Sequence, residues 1–182
     1  MVLVDRDGTI DRCEPGEYIL EPQRVELLPS AGAGLRAIQD AGLRLAIVTN
    51  QAAVGRGWID QEDLDMIHAR LLGLLTQCGV SGIEGVFSCP HRPEDRCGCR
   101  KPQPGLALRA AGELGFDPAR AFVVGDRAAD MTMGHRIGAT TILVGTGQAD
   151  GDAFEEPPHH VASDLLEAAA IIAERREREQ AS

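Results

Sequence analysis

Hydrophobic and polar positions follow two periods along this chain, and they predict strands and helices in alternation. The clearest helix covers residues 60–78, because Leu64, Ile67 and Leu71 recur on one face and Gly79 ends the pattern. Apolar runs predict strands over residues 2–4, 43–48, 85–88, 121–125 and 141–144. The other predicted helices cover residues 30–41, 105–114, 131–137 and 163–178.

This alternation indicates an α/β fold, with a doubly wound, Rossmann-like parallel sheet covered by helices on both faces. We expect a single domain over residues 1–182. Segments 10–29 and 50–60 are too short for a cap domain, so the expected fold is capless. Its site should be open, with walls from loops 11–20, 51–58 and 89–99. Residues 145–160, rich in Gly, Asp and Pro, predict a surface loop.

Composition narrows the functional classes. The formal net charge of -10 disfavours a nucleic-acid interface, although a small phosphorylated substrate needs only a locally positive site. No apolar run approaches the ~20 residues that span a bilayer, and no signal peptide is visible. We therefore expect a cytoplasmic protein that contacts neither nucleic acid nor membrane. Its oligomeric state stays open, with a monomer plausible.

Polar residues follow the predicted strands at the points where the strands end. Parallel strands bring their carboxyl ends to one edge of the sheet, where ligands bind. Three carboxylates, one hydroxyl, one amide and two cations should therefore meet there. Carboxylates that meet repel one another unless a cation lies among them, and oxygen ligands suit Mg²⁺. The residues concerned are Asp5, Asp7, Thr49, Asn50, Arg100, Lys101 and Asp126.

This set is suited to phosphoryl transfer. A carboxylate such as Asp5 can form an aspartyl-phosphate, and Asp7 can act as acid and then as base. Thr49 and Lys101 can bind the phosphate. An Asp after a strand is often only a turn former, and Asp-Gly is a common turn pair. The whole run over residues 5–9, with polar residues at the matching strand ends, is more specific than that.

A second cluster has the ligand types of zinc. Cys89, His91, Cys97 and Cys99 fall within eleven positions. Three thiolates and one imidazole complete a tetrahedral structural site, which leaves no open position for catalysis. The alternative is a set of unrelated thiols, since Cys is often simply buried. We predict a bound structural Zn²⁺ in a zinc-binding loop over residues 89–99.

Four segments resemble the motifs of the haloacid dehalogenase superfamily, in the same order: residues 4–9, 48–50, 100–102 and 124–130. The resemblance covers about residues 2–147. It implies a Mg²⁺-dependent phosphoric monoester hydrolase with Asp5 as nucleophile and Asp7 as acid and base. It also implies that Mg²⁺ is held by Asp5, the backbone carbonyl of Asp7, and Asp126. Asp130 would be a supporting carboxylate or a turn residue.

Residues 89–94 and 97–102 resemble a narrower group. Heptose bisphosphate phosphatases and the phosphatase domain of bifunctional histidine-biosynthesis enzymes share this string, and residues 49–57 are closer to the heptose group. Ala52 stands where that group usually has Ser, and loop 16–19 alters its usual Asp-Gly-Tyr. The resemblance implies hydrolysis of the 7-phosphate of D-glycero-D-manno-heptose 1,7-bisphosphate. The substrate-binding residues it implies are Gly16, Glu17, Tyr18, Ile19, Asn50, Gln51, Ala52, Arg56, Arg100 and Arg127.

Three alternatives remain at this stage. One is a histidinol-phosphate phosphatase or another small sugar-phosphate phosphatase. Another is a phosphatase of nucleic-acid ends, which the net charge of -10 disfavours. The third is a non-catalytic zinc-binding module, which predicts loss of a catalytic carboxylate, yet Asp5, Asp7 and Asp126 are all present.

Overall fold

The apolar runs form one parallel six-stranded sheet in the computed structural model, which describes residues 1–14, 16–146 and 153–180. The strand order is β3-β2-β1-β4-β5-β6. The strands are β1 Val2–Val4, β2 Leu45–Asn50, β3 Ile83–Cys89, β4 Phe122–Gly125, β5 Thr140–Val144 and β6 His160–Ala162. The helices are α1 Ala31–Asp40, α2 Ala52–Gly55, α3 Gln61–Gln77, α4 Gly105–Leu114, α5 Ala128–Arg136 and α6 Leu165–Gln180.

Alternate residues of the central strands face opposite sides of the sheet, and each side has its own core. Val2 and Val4 of β1 pack in a large core with apolar residues of α1, α3 and α6. Leu3 lies between them in sequence and packs in a second core with residues of α4 and α5. The prediction of a doubly wound parallel sheet is therefore confirmed.

Local capping sets the ends of two helices. The side chain of Asp60 accepts a hydrogen bond from the amide of Asp63, and the side chain of Asp63 accepts one from the amide of Asp60, so α3 begins at Gln61. The helix predicted over residues 131–137 begins earlier, at Ala128. The reason is that the Asp130 carboxylate accepts from the amide of Arg127 at 3.3 Å and caps the first turn.

Two elements differ from the sequence prediction in a way that matters for the site. β2 continues through Thr49 and Asn50, so both residues are strand residues. The predicted surface loop over residues 145–160 reaches a strand that the pattern did not reveal, the three-residue edge strand β6, which pairs with β5. A strand of three residues is too short to show the alternation of apolar and polar positions by which a strand is recognised in a sequence. Residues 147–152 of that predicted loop lie outside the described residues.

No separate cap covers the carboxyl edge of the sheet in the part of the chain that the structure describes. Between β1 and α1 there is only a short 3-10 helix over Pro22–Arg24, and β2 is followed by the four-residue α2. Among the described residues, no helix is long and apolar enough to cross a membrane.

Candidate active site

Three carboxylates converge where β1 and β4 end. Asp5 follows β1, and its amide donates to the carbonyl of Val124 at 2.9 Å. Asp126 follows β4, and Asp130 is one turn into α5. One oxygen from each of the three carboxylates lies within 4.8 Å of the other two. All three residues are buried. We call this cluster, with Lys101, the carboxylate rim.

Lys101 supplies the positive charge of the rim. Its Nζ lies 2.7 Å from Asp5 Oδ1 and 2.6 Å from Asp130 Oδ1, and it donates to the carbonyl of Val48 at 2.9 Å. Burial acts to lower the pKa of Lys101, but the charges of Asp130 and Asp5 outweigh it and raise that pKa. Lys101 therefore stays protonated although it is buried.

Asp5 is under the opposite influence. Burial and the charge of Asp130 raise the pKa of its carboxyl to about 7, although Lys101 acts against that rise. One ammonium group therefore does not neutralise the three carboxylates, and a further cation would reduce the net negative charge of the rim.

Asp7 is held by donors on both of its oxygens. Arg6 Nη2 contacts Oδ1 at 2.6 Å, and Oδ2 accepts from Gln51 Nε2 at 2.6 Å and Thr49 Oγ1 at 3.2 Å. Arg6 is completely buried and also lies 3.4 Å from Asp11. These contacts orient the Asp7 carboxylate next to the rim.

Asn50 fixes the loop that carries Lys101. Its Oδ1 accepts from the amide of Lys101 at 3.0 Å, and its Nδ2 donates to the carbonyl of Lys101 at 3.1 Å. A strand residue therefore holds the backbone of a loop residue 51 positions later. Sequence reasoning assigned Asn50 to substrate binding, and this second task depends on tertiary contact alone.

An open cavity of about 490 Å³ lies over the rim. It is lined by many of the residues predicted from sequence, which are Asp5, Asp7, Gly16, Glu17, Tyr18, Thr49, Asn50, Arg100, Lys101 and Arg127. Loop 16–18 and the first turn of α5 form two of its walls. The structure therefore brings the predicted nucleophile and most of the predicted substrate contacts to one cavity.

Four predicted substrate contacts lie elsewhere. Ile19 is buried in the larger core because its side chain is apolar, and Ala52 is buried at the start of α2. Gln51 is buried and donates to Asp7. The Arg56 guanidinium lies over the exposed ring of Trp58, 5.3 Å from its centre. Among the cavity's lining residues, none comes from loops 51–58 or 89–99, so that expectation about its walls is corrected.

Sequence reasoning also missed several residues of the site. Thr9 Oγ1 donates to Asp126 Oδ1 at 3.2 Å, and it stood within the recognised run over residues 5–9. Ala128, Ala129 and Thr132 line the cavity from α5, and their spacing could have indicated a helix face. Cys13, Ala153 and Glu155 were also missed, and the lining is completed by Pro102 and Asp130, which belong to recognised motifs.

The rim fits a magnesium ion. Its ligand atoms are hard carboxylate oxygens, which Mg²⁺ prefers. The space beside Asp126 is kept open by Gly8, whose φ of +81° favours glycine and where a Cβ would lie 2.6 Å from Asp126 Oδ2. A side chain at position 8 would therefore collide with the Asp126 carboxylate, which coordination of Mg²⁺ needs free.

The cluster of Cys89, His91, Cys97 and Cys99 fits a zinc ion. Sγ of Cys89 lies 3.6 Å from Nδ1 of His91 and 3.6 Å from Sγ of Cys97. Sγ of Cys99 lies 3.2–3.4 Å from the other three ligand atoms. Ligands about 2.0–2.3 Å from a tetrahedral Zn²⁺ are separated by nearly these distances. The four atoms are therefore arranged for one ion.

The cluster is connected to the cavity through Arg100. The amide of Arg100 donates to Cys97 Sγ at 3.4 Å, and its guanidinium donates to the carbonyl of His91 at 3.2 Å. Burial raises the pKa of the Cys97 thiol, but the Arg100 amide and the neighbouring thiols outweigh burial and lower it to about 7. The pKa of the Cys89 thiol is raised to about 12 by burial and by its contacts with Cys99 and Cys97, so Cys97 is the thiol of this cluster that ionises most readily.

Known proteins share both the fold and the sequence. A family model described as HAD-hydrolase-like matches residues 98–168. D-glycero-alpha-D-manno-heptose-1,7-bisphosphate 7-phosphatase of Mycobacterium tuberculosis (strain CDC 1551 / Oshkosh) is 36% identical over 151 residues, which are 82% of this chain and 79% of the relative. D-glycero-beta-D-manno-heptose-1,7-bisphosphate 7-phosphatase of Haemophilus ducreyi is 32% identical over 155 residues, 81% of this chain and 84% of the relative.

A solved structure agrees with these relatives. The crystal structure of D,D-heptose 1,7-bisphosphate phosphatase from B. bronchiseptica, complexed with magnesium and phosphate, has a TM-score of 0.87 at 28% identity. The match covers 96% of this chain and 98% of that one. The fold and the carboxylate rim define a hydrolase of the haloacid dehalogenase class. Within that class, the chain belongs to the family of the heptose-1,7-bisphosphate 7-phosphatases.

Proposed function

We propose that this protein hydrolyses the 7-phosphate of D-glycero-D-manno-heptose 1,7-bisphosphate through an aspartyl-phosphate on Asp5. The observation that carries the proposal is the rim itself, in which Asp5 lies 2.7 Å from Lys101 and within 4.8 Å of Asp126 and Asp130. The names of the relatives and of the similar crystal structure supply the substrate.

Asp5 attacks phosphorus, and its Oδ–P bond forms as the bond to the sugar oxygen breaks. Lys101 binds the phosphoryl oxygens and keeps Asp5 in place, and Thr49 donates a hydrogen bond from the end of β2. Asp5, Asp126 and the backbone carbonyl of Asp7 would hold a magnesium ion, which would supply charge neutralisation at the transferring phosphoryl group. Asp130 supports the site through its ion pair with Lys101.

Asp7 provides the proton transfers. In the first half-reaction it gives a proton to the departing sugar oxygen. In the second it takes a proton from the water that attacks the phosphoryl group on Asp5. Its contacts with Arg6, Gln51 and Thr49 support this role, because they fix both of its oxygens at the edge of the rim.

The remaining groups hold the sugar. Arg100 and Arg127 line the cavity and can bind the second phosphate by charge. Gly16, Glu17 and Tyr18 form the wall that contacts the sugar chain. Binding energy from the second phosphate can orient the reacting one.

The cluster of Cys89, His91, Cys97 and Cys99 holds a structural zinc ion in this proposal. Its support is the separation of 3.2–3.6 Å between ligand atoms and the hydrogen bond from the Arg100 amide to Cys97. The zinc loop then positions Arg100 at the cavity. We also propose that residues 1–182 act as one domain on a small sugar phosphate in the cytoplasm.

The test is a comparison of kcat/KM values over a panel of phosphate esters with Mg²⁺ present. The panel contains heptose 1,7-bisphosphate, histidinol phosphate, fructose 1,6-bisphosphate and a 5′-phosphorylated oligonucleotide. We expect the heptose bisphosphate to have the highest kcat/KM. A higher value for histidinol phosphate would replace the proposed substrate, and a higher value for the oligonucleotide would replace the substrate class.

A further inference from the structure

We propose that Glu155 determines specificity by accepting hydrogen bonds from hydroxyl groups of the substrate, and that Arg136 is its positioning residue. The inference deepens the proposed function and rests on it. Glu155 and Ala153 line the catalytic cavity, although both follow the last motif of the site in sequence. We call residues 153–159, which lead into β6, the cavity strap.

Arg136, the last residue of α5, connects the strap to the catalytic loop. Its Nη2 contacts the Glu155 carboxylate at 3.3 and 3.4 Å, and its Nη1 donates to the carbonyl of Pro102 at 3.0 Å. Pro102 follows Lys101 and also lines the cavity. One guanidinium therefore fixes Glu155 relative to the loop that carries the phosphate-binding lysine.

Two histidines fix the rest of the strap. His135 Nε2 donates to the carbonyl of Pro157 at 2.9 Å, and its other ring nitrogen lies 3.6 Å from the carboxylate of Glu156. His159 Nδ1 accepts from the amide of Thr141 in β5 at 3.1 Å. The strap is therefore tied to α5 and to β5 at Glu155 and at residues that follow it.

The chemistry of Glu155 differs from that of the rim carboxylates. Its side chain is 65% exposed, so it is hydrated and lies at the mouth of the cavity. A carboxylate has about four lone-pair sites, and Arg136 can occupy at most two of them. The others are available to a donor from the substrate. Hydroxyl groups are donors of this kind, and phosphate groups that are fully ionised are not.

The charge of Glu155 also needs explanation, since a carboxylate at the cavity mouth repels an anionic substrate. Arg136 reduces that repulsion by pairing with it. The pair leaves a polar acceptor with little net charge, which favours a polyhydroxylated phosphate over an ester without hydroxyls. Nothing in the sequence indicated this residue, because it falls in the loop predicted over residues 145–160.

The experiment measures a ratio, namely kcat/KM for a polyhydroxylated phosphate divided by kcat/KM for p-nitrophenyl phosphate, which has no hydroxyl group. Heptose 1,7-bisphosphate and fructose 1,6-bisphosphate are both used as the sugar substrate. We expect Glu155→Ala to lower this ratio about tenfold and Glu155→Gln to lower it less, because the amide keeps one acceptor. Arg136→Gln should lower the ratio through a higher KM for the sugar. Arg136→Lys, which keeps the positive charge, should lower the ratio less than Arg136→Gln does.

Glu113→Gln is the matched control, because it removes the same charge from an exposed carboxylate that also pairs with an arginine, Arg109, but lies near the end of α4 and does not line the cavity. It should leave the ratio at the wild-type value. The proposal is overturned if Glu155→Ala changes kcat/KM equally for sugar and p-nitrophenyl substrates, if neither changes, or if Glu113→Gln has the same effect. If fructose 1,6-bisphosphate shows the ratio change but heptose bisphosphate is a poor substrate for the wild type, the proposed substrate fails and the role of Glu155 stands.

Discussion

Two clusters in this molecule could each hold a metal, and they are built in opposite ways. The buried carboxylates of the rim come from residue 5 and from residues 126 and 130, two segments that are far apart in sequence. The ligands of the Cys/His cluster come from residues 89–99, and His91 is exposed while Cys97 and Cys99 are half-buried. The rim depends on the sheet, whereas the Cys/His cluster depends on one loop.

The difference indicates what each cluster can do. The rim holds three buried carboxylates against one ammonium group, and burial together with the charge of Asp130 raises the pKa of Asp5; such a site is suited to binding a hard cation and phosphate together. The Cys/His cluster brings four ligand atoms to one another and offers no open position. Arg100 connects them, since it belongs to the cavity and donates to Cys97.

The largest expected effect is a loss of turnover at the rim without a loss of stability. Asp5→Asn should reduce kcat by about 10³-fold or more, because the amide cannot attack phosphorus. Its melting temperature at neutral pH should not fall, since a buried carboxyl with a raised pKa costs the folded state free energy when it is ionised. The exposed Asp40→Asn is the control. Wild-type turnover in Asp5→Asn would remove the nucleophile assignment.

The Cys/His cluster should respond in the opposite sense. Cys97→Ser should lower the free energy of unfolding by about 2 kcal/mol or more and reduce bound zinc, because metal binding and folding are coupled. Activity per folded molecule should fall far less than in Asp5→Asn. Denaturant unfolding with metal analysis measures both. Cys78→Ser, which changes an exposed thiol, is the matched control. Equal stability of the two variants would contradict a structural zinc.

Magnesium and pH should act together on the rim. The pKa of Asp5 is raised from 3.8 to about 7 in the folded chain, so the folded state binds this proton more tightly than the unfolded state does. The stability that Asp5 contributes is full below about pH 4 and is lost as the pH rises through 7. The melting temperature of the metal-free protein should therefore fall between pH 5 and pH 8.

Added Mg²⁺ should offset this loss, with a larger rise in melting temperature at pH 8 than at pH 5, because it binds the ionised rim. Thermal unfolding with and without Mg²⁺ at four pH values provides the measurement. An equal Mg²⁺ effect at every pH would mean that the ion does not bind among these carboxylates.

The smallest expected effect concerns Arg100, where the two clusters meet. Arg100→Ala should reduce the preference for heptose 1,7-bisphosphate over the 7-monophosphate by about tenfold, because the second phosphate loses a charge-assisted contact. Arg120→Ala removes the same charge at the opposite end of the sheet, before β4, and serves as the control. If both variants keep the wild-type preference, the second phosphate is bound elsewhere.

The sequence predicted the fold and the rim more fully than the walls of the cavity. Strands and helices are recognised from the period of their hydrophobic positions. Site residues such as Asp5 and Thr49 could then be predicted because they lie at the ends of predicted strands. Ile19, Arg56 and Glu155 could not be placed in this way. The first lies in the core, the second lies over Trp58, and the third reaches the cavity through Arg136, and each outcome depends on contacts between distant segments.

The most direct test of the central claim is the identity of the first product. Heptose 1,7-bisphosphate is incubated with the protein and Mg²⁺, and phosphorus NMR follows the two phosphate groups separately. We expect the phosphate on the terminal primary carbon to be released while heptose 1-phosphate accumulates, and no release with Asp5→Asn. Release of the anomeric phosphate first, or no release by the wild-type protein, would contradict the assignment as a 7-phosphatase.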